Sequence, residues 1–457
     1  MGDPIVISDD SDEGECSSTC SHMALMPMNC VLENFYQIAF ENPEELLRNE
    51  PKSEPISAER VQIIINTIET NFPEATVQWL TEFVTEQFYP PREILSHVIR
   101  NILLSPDVGP LLNQTFRLLI KIQELHPASL ACMEWDWDLL TTVLQKEVNE
   151  LPGQALFLRY VIKTLEDDFQ EGMKKPPNEM QNTIANVMLS CDREPHHIKD
   201  IINWLLTTLC GSTFPLFEVF SQRDAKAIQT SDLAGNTVIS KNTNQVIVLY
   251  LQKMLGMAVE VDRTPNCTSN KIAEMLFAFV INIPERHQRE AFFTSMENHL
   301  LRCKVLELIM LHSCEKPTTL PLSFAQILYF LNSANSLFNQ TEDLKWARWD
   351  ELVEHLQFLL ISYQHVIHDH LRISVRERQD QNRIFRQQMH QGDDITALDI
   401  ELQFDGFFSR MRHQVRENVP IYLQEKLFLL KLLFLRAIHG MPLLEGQQLM
   451  MTLSLLG

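Results

Sequence analysis

The sequence predicts an all-α protein, and three observations support that fold class. Its 457 residues include only 13 glycines, roughly 3% where proteins average about 7%, so tight turns are few. Apolar residues recur at spacings of three and four almost to the end of the chain, as on one side of a helix. Prolines stand between these stretches, and each one stops or kinks a helix. Together these features argue against all-β and doubly wound α/β folds.

The chain is predicted to comprise three parts. Residues 1–30 combine Ser, Asp, Glu and Cys with few side chains that could pack, which predicts a disordered acidic tail. Residues 31–56 are predicted to form a short helix, for which Asn42 is a favourable N-cap, followed by a linker at 52–55. Residues 57–457 form the helical domain. Because so much helix cannot share one compact core, we expect an irregular α-solenoid without a standard repeat.

Four apolar stripes mark helices within this domain. They are Val61, Ile64, Ile65, Ile68 and Phe72; Val98, Ile99, Ile102 and Leu103; Phe116, Leu119 and Ile120; and Ile201, Trp204, Leu205 and Leu209. Helix starts are predicted at Ser105-Pro106 and at the capping box Ser323-x-x-Gln326. The stripes and caps together predict helices of one to two dozen residues joined by short turns.

Two stretches depart from this pattern. Residues 426–438 are the most apolar part of the chain, but basic residues interrupt them and they are too short to span a bilayer. We therefore predict a buried core helix there. Residues 223–244 are polar and rich in Gly, Asn, Ser and Thr, which predicts a loop or a short hairpin.

A basic stretch at residues 372–390 is a candidate for electrostatic docking. Its arginines are Arg372, Arg376, Arg378, Arg383 and Arg386, and five acids follow within residues 393–405. Such a stretch is usually a solvated face, and the alternative is a docking site for DNA or an acidic protein. Both interpretations stay open. The formal net charge of −22 repels phosphate, so strong direct binding of nucleic acid is not expected.

No signature of catalysis or metal binding is found in the sequence. It contains no Gly-rich phosphate loop, no G-x-S-x-G elbow, no H-E-x-x-H and no set of kinase motifs. The cysteines and histidine within residues 16–30 match no common zinc spacing, and the three histidines within 365–370 are expected at the surface or the core edge. We therefore expect no enzyme activity, no cofactor and no metal. Nine scattered cysteines and the lack of a signal peptide favour a nuclear protein, with the cytoplasm as a second location.

The strongest functional signal is PIVISDDSDE at residues 4–13. Three aliphatic residues form a strand-like triplet in a helical chain, and acids and serines follow at once. This is the form of a SUMO-interacting motif, in which the triplet adds as a strand to an exposed sheet edge of SUMO and the acids face its basic rim. The predicted SUMO-binding residues are Ile5, Val6, Ile7, Ser8, Asp9, Asp10, Asp12 and Glu13. Phosphorylation of Ser8 or Ser11 would add about −1.5 to −2 charges each.

This motif and two helical stretches carry a resemblance to a known family. IVISDDSDE, ISAERVQIIINTIETNFPEATVQWL and FYPPREILSHVIRNILLSPDVGPLL resemble the SUMO-interacting-motifs-containing proteins, also described as platform elements for inhibition of autolytic degradation. The resemblance implies a non-enzymatic adaptor whose helical domain, like non-SMC loader subunits, pairs with a helical SMC localization factor. The pair would bring the structural-maintenance-of-chromosomes repair complex to SUMO-rich nuclear sites, including viral replication centres. The family name also implies an alternative, inhibition of a muscle calpain.

The chain departs from the family pattern in its number of motifs. Longer members carry several SUMO-interacting motifs, whereas one precedes the helical domain here, as expected of a short or alternatively spliced form. Linked motifs raise apparent affinity for a polymeric target by about 10²–10⁴-fold. A chain with one motif is therefore expected to discriminate poly-SUMO from single SUMO weakly.

Overall fold

The described part of the chain is mostly helical and has almost no strand, which confirms the all-α fold class. The structure is a computed structural model. It describes residues 53–107, 109–129, 133–146, 151–176, 182–191, 196–211, 235–316, 318–335, 345–379, 392–415 and 418–438. All of them except Ser53 belong to one compact unit, Glu54–Gly457. The acidic tail predicted at 1–30 and the short helix predicted within 31–56 lie outside the described residues.

The described residues form 17 α-helices, one π-helix and one two-stranded sheet. The α-helices are α1 (Ala58–Glu69), α2 (Pro73–Phe83), α3 (Arg92–His97), α4 (Leu111–Leu125), α5 (Trp137–Leu144), α6 (Gln154–Lys174), α7 (Ile184–Leu189), α8 (His196–Gly211), α9 (Gly235–Val261), α10 (Pro265–Val280), α11 (Arg286–Ser295), α12 (His299–Ser313), α13 (Phe324–Ser333), α14 (Lys345–His368), α15 (Val375–Gln379), α16 (Ala397–Val415) and α17 (Ile421–Ile438). Strand β1 (Glu54–Pro55) pairs in parallel with β2 (Phe88–Tyr89).

Most helices pack against helices that lie near them in the sequence. Helix α4 contacts α2 and α6, α9 contacts α6, α7, α8 and α10, and α12 contacts α10 and α14. At the C-terminal end α14 contacts α17, and α13 contacts α16. One apolar core runs through these contacts, from Ile56 to Phe434. The stacking of the helices as an α-solenoid stays a prediction.

A π-helix, Val98–Leu103, continues α3 directly. The four apolar residues predicted as a stripe here are all buried, but the backbone is wound more loosely than in an α-helix, since the Leu104 amide donates to the Ile99 carbonyl at 3.1 Å. The helix start predicted at Ser105-Pro106 is wrong. The Ser105 amide instead donates to the Ile102 carbonyl and closes the π-helix, and α4 begins only at Leu111.

The capping signal at Ser323 is confirmed, although only half of the capping box forms. Ser323 Oγ accepts a hydrogen bond from the Gln326 amide at 3.2 Å at the start of α13. The Gln326 side chain donates to the Leu320 carbonyl at 2.8 Å instead of returning to the Ser323 amide. Asp136 is a cap that the sequence did not predict; it accepts a hydrogen bond from the Leu139 amide at 2.7 Å and begins α5.

Two predicted irregular segments contain regular structure. The prediction of a loop or hairpin over 223–244 is wrong for 235–244, because α9 begins at Gly235, whereas 223–234 lie outside the described residues. Extending an existing helix adds one hydrogen bond for each residue without a new nucleation cost, so polar residues can continue a well-packed helix. In the linker predicted at 52–55, Glu54 and Pro55 form β1.

The helix predicted at 426–438 is confirmed as part of α17, but it is not wholly buried. Its side chains Leu427, Leu430 and Phe434 are in the core, whereas Phe428 and Leu432 are exposed. Neighbours α14 and α16 cover one side of α17 only. No helix within the described ranges combines the length and apolarity needed to cross a membrane.

Candidate interaction site

The structure describes only part of the predicted site residues. Those predicted to bind SUMO, from Ile5 to Glu13, and the phosphorylation candidates Ser8 and Ser11 lie outside the described residues, as do Arg383 and Arg386. Their roles stay predictions. Arg372, Arg376 and Arg378 are described, and none of their side chains is fully exposed.

Arg372 is held against the end of α14. Its guanidinium donates to the Leu322 carbonyl at 3.0 Å and lies 5.4 Å from the ring centroid of Tyr363. Tyr363 in turn donates its hydroxyl to both carboxylate oxygens of Asp393, at 2.9 and 3.0 Å. Burial, with the Asp393 charge as a second cause, raises the pKa of Tyr363, so the hydroxyl keeps its proton and acts as a donor. Arg372 therefore lies in a contact between α14 and the segment before α13.

Arg376 and Arg378 connect α15 to helices far earlier in the chain. Arg376 donates to the carbonyl of Lys175, the C-cap residue directly after α6, where a cation interacts favourably with the helix dipole. Arg378 forms an ion pair with Glu260 near the end of α9. Burial raises the pKa of Glu260, and the Arg378 charge partly offsets that rise. Arg376 and Arg378 therefore make contacts within the chain. Docking through Arg383 and Arg386 stays a prediction.

A surface cavity formed by the first helices of the described unit is a candidate for partner docking. It has a volume of about 410 Å³ and lies between the π-helix and the corner that joins α1 to α2. At this corner Asn71 adopts a left-handed conformation with φ of 51°, and Phe72 is exposed at the cavity rim. Asn is among the few residues that adopt this conformation readily. The corner therefore places an aromatic ring at the mouth of the cavity.

The opposite wall of the cavity is polar. Asn101 donates a hydrogen bond to Nδ1 of His97 at 2.8 Å if that nitrogen carries no proton, and burial lowers the pKa of His97 and so favours the neutral ring. Ser105 and two acids, Glu74 and Asp107, also line the cavity. A cavity of this size, with an aromatic rim and a polar wall, can receive a protruding side chain from another protein. We name this feature, defined by Phe72, His97, Asn101 and Ser105, the π-helix cavity.

A second cluster, of partly buried charges, joins α11, α14 and α17. Arg286 forms ion pairs with Asp350 at 2.7 Å and Glu354 at 2.5 Å. Asp350 also pairs with Lys426 of α17 at 2.7 Å. The nearby Gln357 donates to the Lys426 carbonyl at 3.0 Å. Lys426 therefore attaches α17 to α14 through both its backbone and its side chain. This cluster orients α17 and the side that it exposes.

One carboxyl in this cluster makes stability depend on pH. Burial, followed by repulsion from Glu354, raises the pKa of Glu290 from 4.5 to about 7. Between these values the folded chain binds a proton that the unfolded chain releases, so this group makes stability fall as pH rises. We expect Glu290→Gln to be more stable than the native chain by about 1 kcal/mol at pH 8, allowing for solvent screening, and equally stable near pH 4.5.

Urea unfolding at the two pH values measures this difference. The variant is compared with the native chain at each pH because a second group also makes stability depend on pH. Burial lowers the pKa of His355 to about 4, which makes stability rise with pH, the opposite of the effect of Glu290. Glu69→Gln, at an exposed acid of α1, is the matched control and should show no pH-dependent gain. A gain for Glu290→Gln that is the same at both pH values would contradict the assignment.

Sequence reasoning missed the π-helix cavity and the charge cluster. The cavity depends on a left-handed Asn71 and on π-helical winding, and an Asn ahead of Phe-Pro was the available signal for the corner. Across the described ranges, no group of three or more His, Cys, Asp or Glu side chains is placed to hold a metal ion. The chain matches no protein-family model.

Proposed function

We propose that this chain is a non-enzymatic adaptor that binds SUMO through residues 5–7 and docks a second helical protein on its helical domain. Through that subunit, an SMC localization factor, it would bring the SMC-type repair complex to SUMO-rich nuclear sites. The observation that carries the proposal is a strand-like triplet followed by acids in a chain whose described part has almost no sheet. A strand of this kind pairs with a sheet edge of another protein.

The small sheet in the described part is a poor partner for the triplet. Its strands β1 and β2 are two residues long each. The Glu54 amide already donates to the Gln87 carbonyl, the Ile56 amide donates to the Tyr89 carbonyl, and Pro55 has no amide hydrogen. Few backbone groups remain for a third strand, which supports an external partner.

The π-helix cavity supports the second half of the proposal. Two exposed aromatic side chains lie at or near it, Phe72 at the corner before α2 and Trp79 on α2. Aromatic residues are enriched at protein interfaces and supply much of the binding energy when they fill pockets. We assign this end of the helical domain to the partner subunit.

The test of SUMO binding uses the full chain. Replacing Ile5, Val6 and Ile7 together with alanine is expected to abolish SUMO binding, because both the pocket contacts and the strand preference are lost. Isothermal titration or NMR shift mapping measures the binding. Replacing the acids with their amides should weaken binding most at low salt, since exposed charges are screened. The acids to replace are Asp9, Asp10, Asp12 and Glu13.

The chain offers a matched control for this experiment. Leu25, Met26 and Met28 are a second apolar group in the same tail, without an acidic stretch behind them. Their replacement with alanine should leave SUMO binding unchanged. Equal loss in both triple variants, or no binding by the native chain, would remove the proposal.

A further inference from the structure

The π-helix cavity carries a net negative charge. Glu74 and Asp107 line it, both exposed, and none of the described residues that line it is a lysine or an arginine. Neither acid forms an ion pair within the described part of the chain. His97 adds no positive charge at neutral pH, because burial lowers its pKa. The cavity therefore favours a cationic group and disfavours a phosphate or a carboxylate.

Helix dipoles do not change the sign of this charge. The ends of α1 and of the π-helix reach the cavity through Ile68 and Ile102, and a helix end carries partial negative charge. The starts of α2 and α4 reach it through Pro73 and Leu111, and a helix start carries partial positive charge. These contributions offset one another, so the two carboxylates decide the charge of the cavity.

The hydrogen-bonding groups of the cavity wall are mainly acceptors. The hydroxyls of Thr67 and Thr76 lie 2.8 Å apart, and each also contacts a backbone carbonyl, at 2.7 and 3.2 Å. Two hydroxyl hydrogens serve these three contacts, so neither is left for an occupant. The side-chain amide of Asn101 donates to His97, and its Oδ1 receives no hydrogen bond within the described part of the chain. An occupant that brings donors fits this wall.

We propose that the π-helix cavity binds an arginine side chain of the second helical protein. The inference rests on the proposed function, in which that protein docks at this cavity. A guanidinium is a permanent cation with five donors and no acceptor, and its plane can stack on the exposed ring of Phe72 at the rim. Lysine offers neither the planar donors nor the stacking.

The surface around the cavity has the same sign of charge. Residues 54–107 contain eight acids and three basic residues. Complementary charge guides two proteins together and suppresses pairing with wrong partners. The docking surface of the second protein is therefore expected to be basic around the inserted arginine.

A small arginine compound tests the cavity in the full chain. Phe72 is replaced with 4-trifluoromethylphenylalanine, which keeps an aromatic ring at the rim and gives a fluorine NMR signal there. We expect N-acetylarginine amide to shift this signal until saturation, with a Kd on the order of millimolar for a ligand of this size. N-acetylcitrulline amide has nearly the same shape without the charge and should bind about tenfold more weakly. The side-chain amide signal of Asn101 in the native chain gives the same readout without the label.

Two pairs of substitutions locate the binding. Glu74→Gln with Asp107→Asn removes both charges of the cavity and should weaken arginine binding about tenfold. Glu59→Gln with Glu93→Gln removes the same net charge at exposed positions that do not line the cavity, and should leave binding almost unchanged because distant charges are screened. Equal binding of the citrulline compound, equal weakening by both pairs, or no shift of either signal would overturn the proposal.

The second helical protein itself distinguishes this inference from the proposed function. It is titrated into the labelled chain, where docking at the cavity shifts or broadens the fluorine signal. If it docks and the changes at Glu74 and Asp107 leave its affinity unchanged, the arginine inference is wrong and the docking stands. If the arginine compound binds and the protein does not dock, the proposed docking and the assignment to that protein are wrong, and the preference of the cavity for arginine stands.

Discussion

Replacing Arg289 with alanine is expected to lower the free energy of unfolding by about 3–5 kcal/mol, since it leaves a buried carboxylate without its guanidinium. Arg289 of α11 forms a two-pronged pair with Glu351 of α14, at 2.7 and 3.0 Å. Its third nitrogen donates to the carbonyls of Ile283 and Pro284, which close the turn before α11. The substitution thus breaks a helix contact and a turn together.

Urea unfolding of the native chain and the Arg289→Ala variant measures this loss. The matched control is Arg100→Ala, which removes a pair with Asp136 at 3.1 Å. The side chains of Arg289 and Glu351 are only 2% and 3% exposed, whereas those of Arg100 and Asp136 are 43% and 58% exposed. Exposed pairs contribute about 0–1 kcal/mol. If the two variants lose similar free energies of unfolding, burial of the Arg289–Glu351 pair does not increase its contribution to stability.

Replacing Gly153 with alanine is expected to lower the free energy of unfolding by about 3 kcal/mol, because the new Cβ atom clashes with the backbone of a neighbouring element. Gly153 precedes α6, and a Cβ atom there would lie 2.1 Å from the carbonyl oxygen of Leu103, the last residue of the π-helix. Backbone atoms cannot turn aside as a flexible side chain can. Either α6 or the end of the π-helix must shift, and both contribute to the core.

Thermal unfolding of the Gly153→Ala variant measures this loss, and Gly109→Ala is the control. The comparison separates the effect of a steric clash from the effect of losing a glycine. Gly109 has a φ of 48°, and its nearest neighbour to a new Cβ is a carbonyl oxygen at 3.9 Å. Only the conformational preference is lost there, at a cost of roughly 1 kcal/mol. If the Gly153→Ala variant unfolds at the same temperature as the native chain, the Leu103 carbonyl does not lie as close to Gly153 as the structure shows.

Features that depend on neighbours along the chain could be predicted from the sequence. The spacing of Ile201, Trp204 and Leu205 predicted a buried stripe, and all three residues are buried. Ser323 was predicted to cap a helix, and it does. Ser105, with a similar local signal, ends the π-helix instead, because a Ser-Pro pair reports only local preference. The packing around it decides whether a helix starts or stops there.

Features that depend on distant residues could not be predicted in this way. Arg289 and Glu351 are 62 residues apart, and Arg378 and Glu260 are 118 apart, so no spacing links them. The basic stretch looked like a solvated face or a docking site, yet two of its arginines contact α6 and α9. The π-helix cavity depends on the rare conformation of Asn71, for which the sequence carries only a weak preference.

The sequence by itself determined the all-α class, the places of several helices and the acidic-flanked triplet Ile5–Ile7, because each of these depends on residues close together in the chain. Only the tertiary structure decided which apolar stripes are buried. Leu427 and Phe428 are adjacent and equally apolar, yet the first lies in the core and the second faces outward. Burial depends on which helices pack around a side chain, and the packing of α14 and α16 covers one side of α17 and leaves the other exposed.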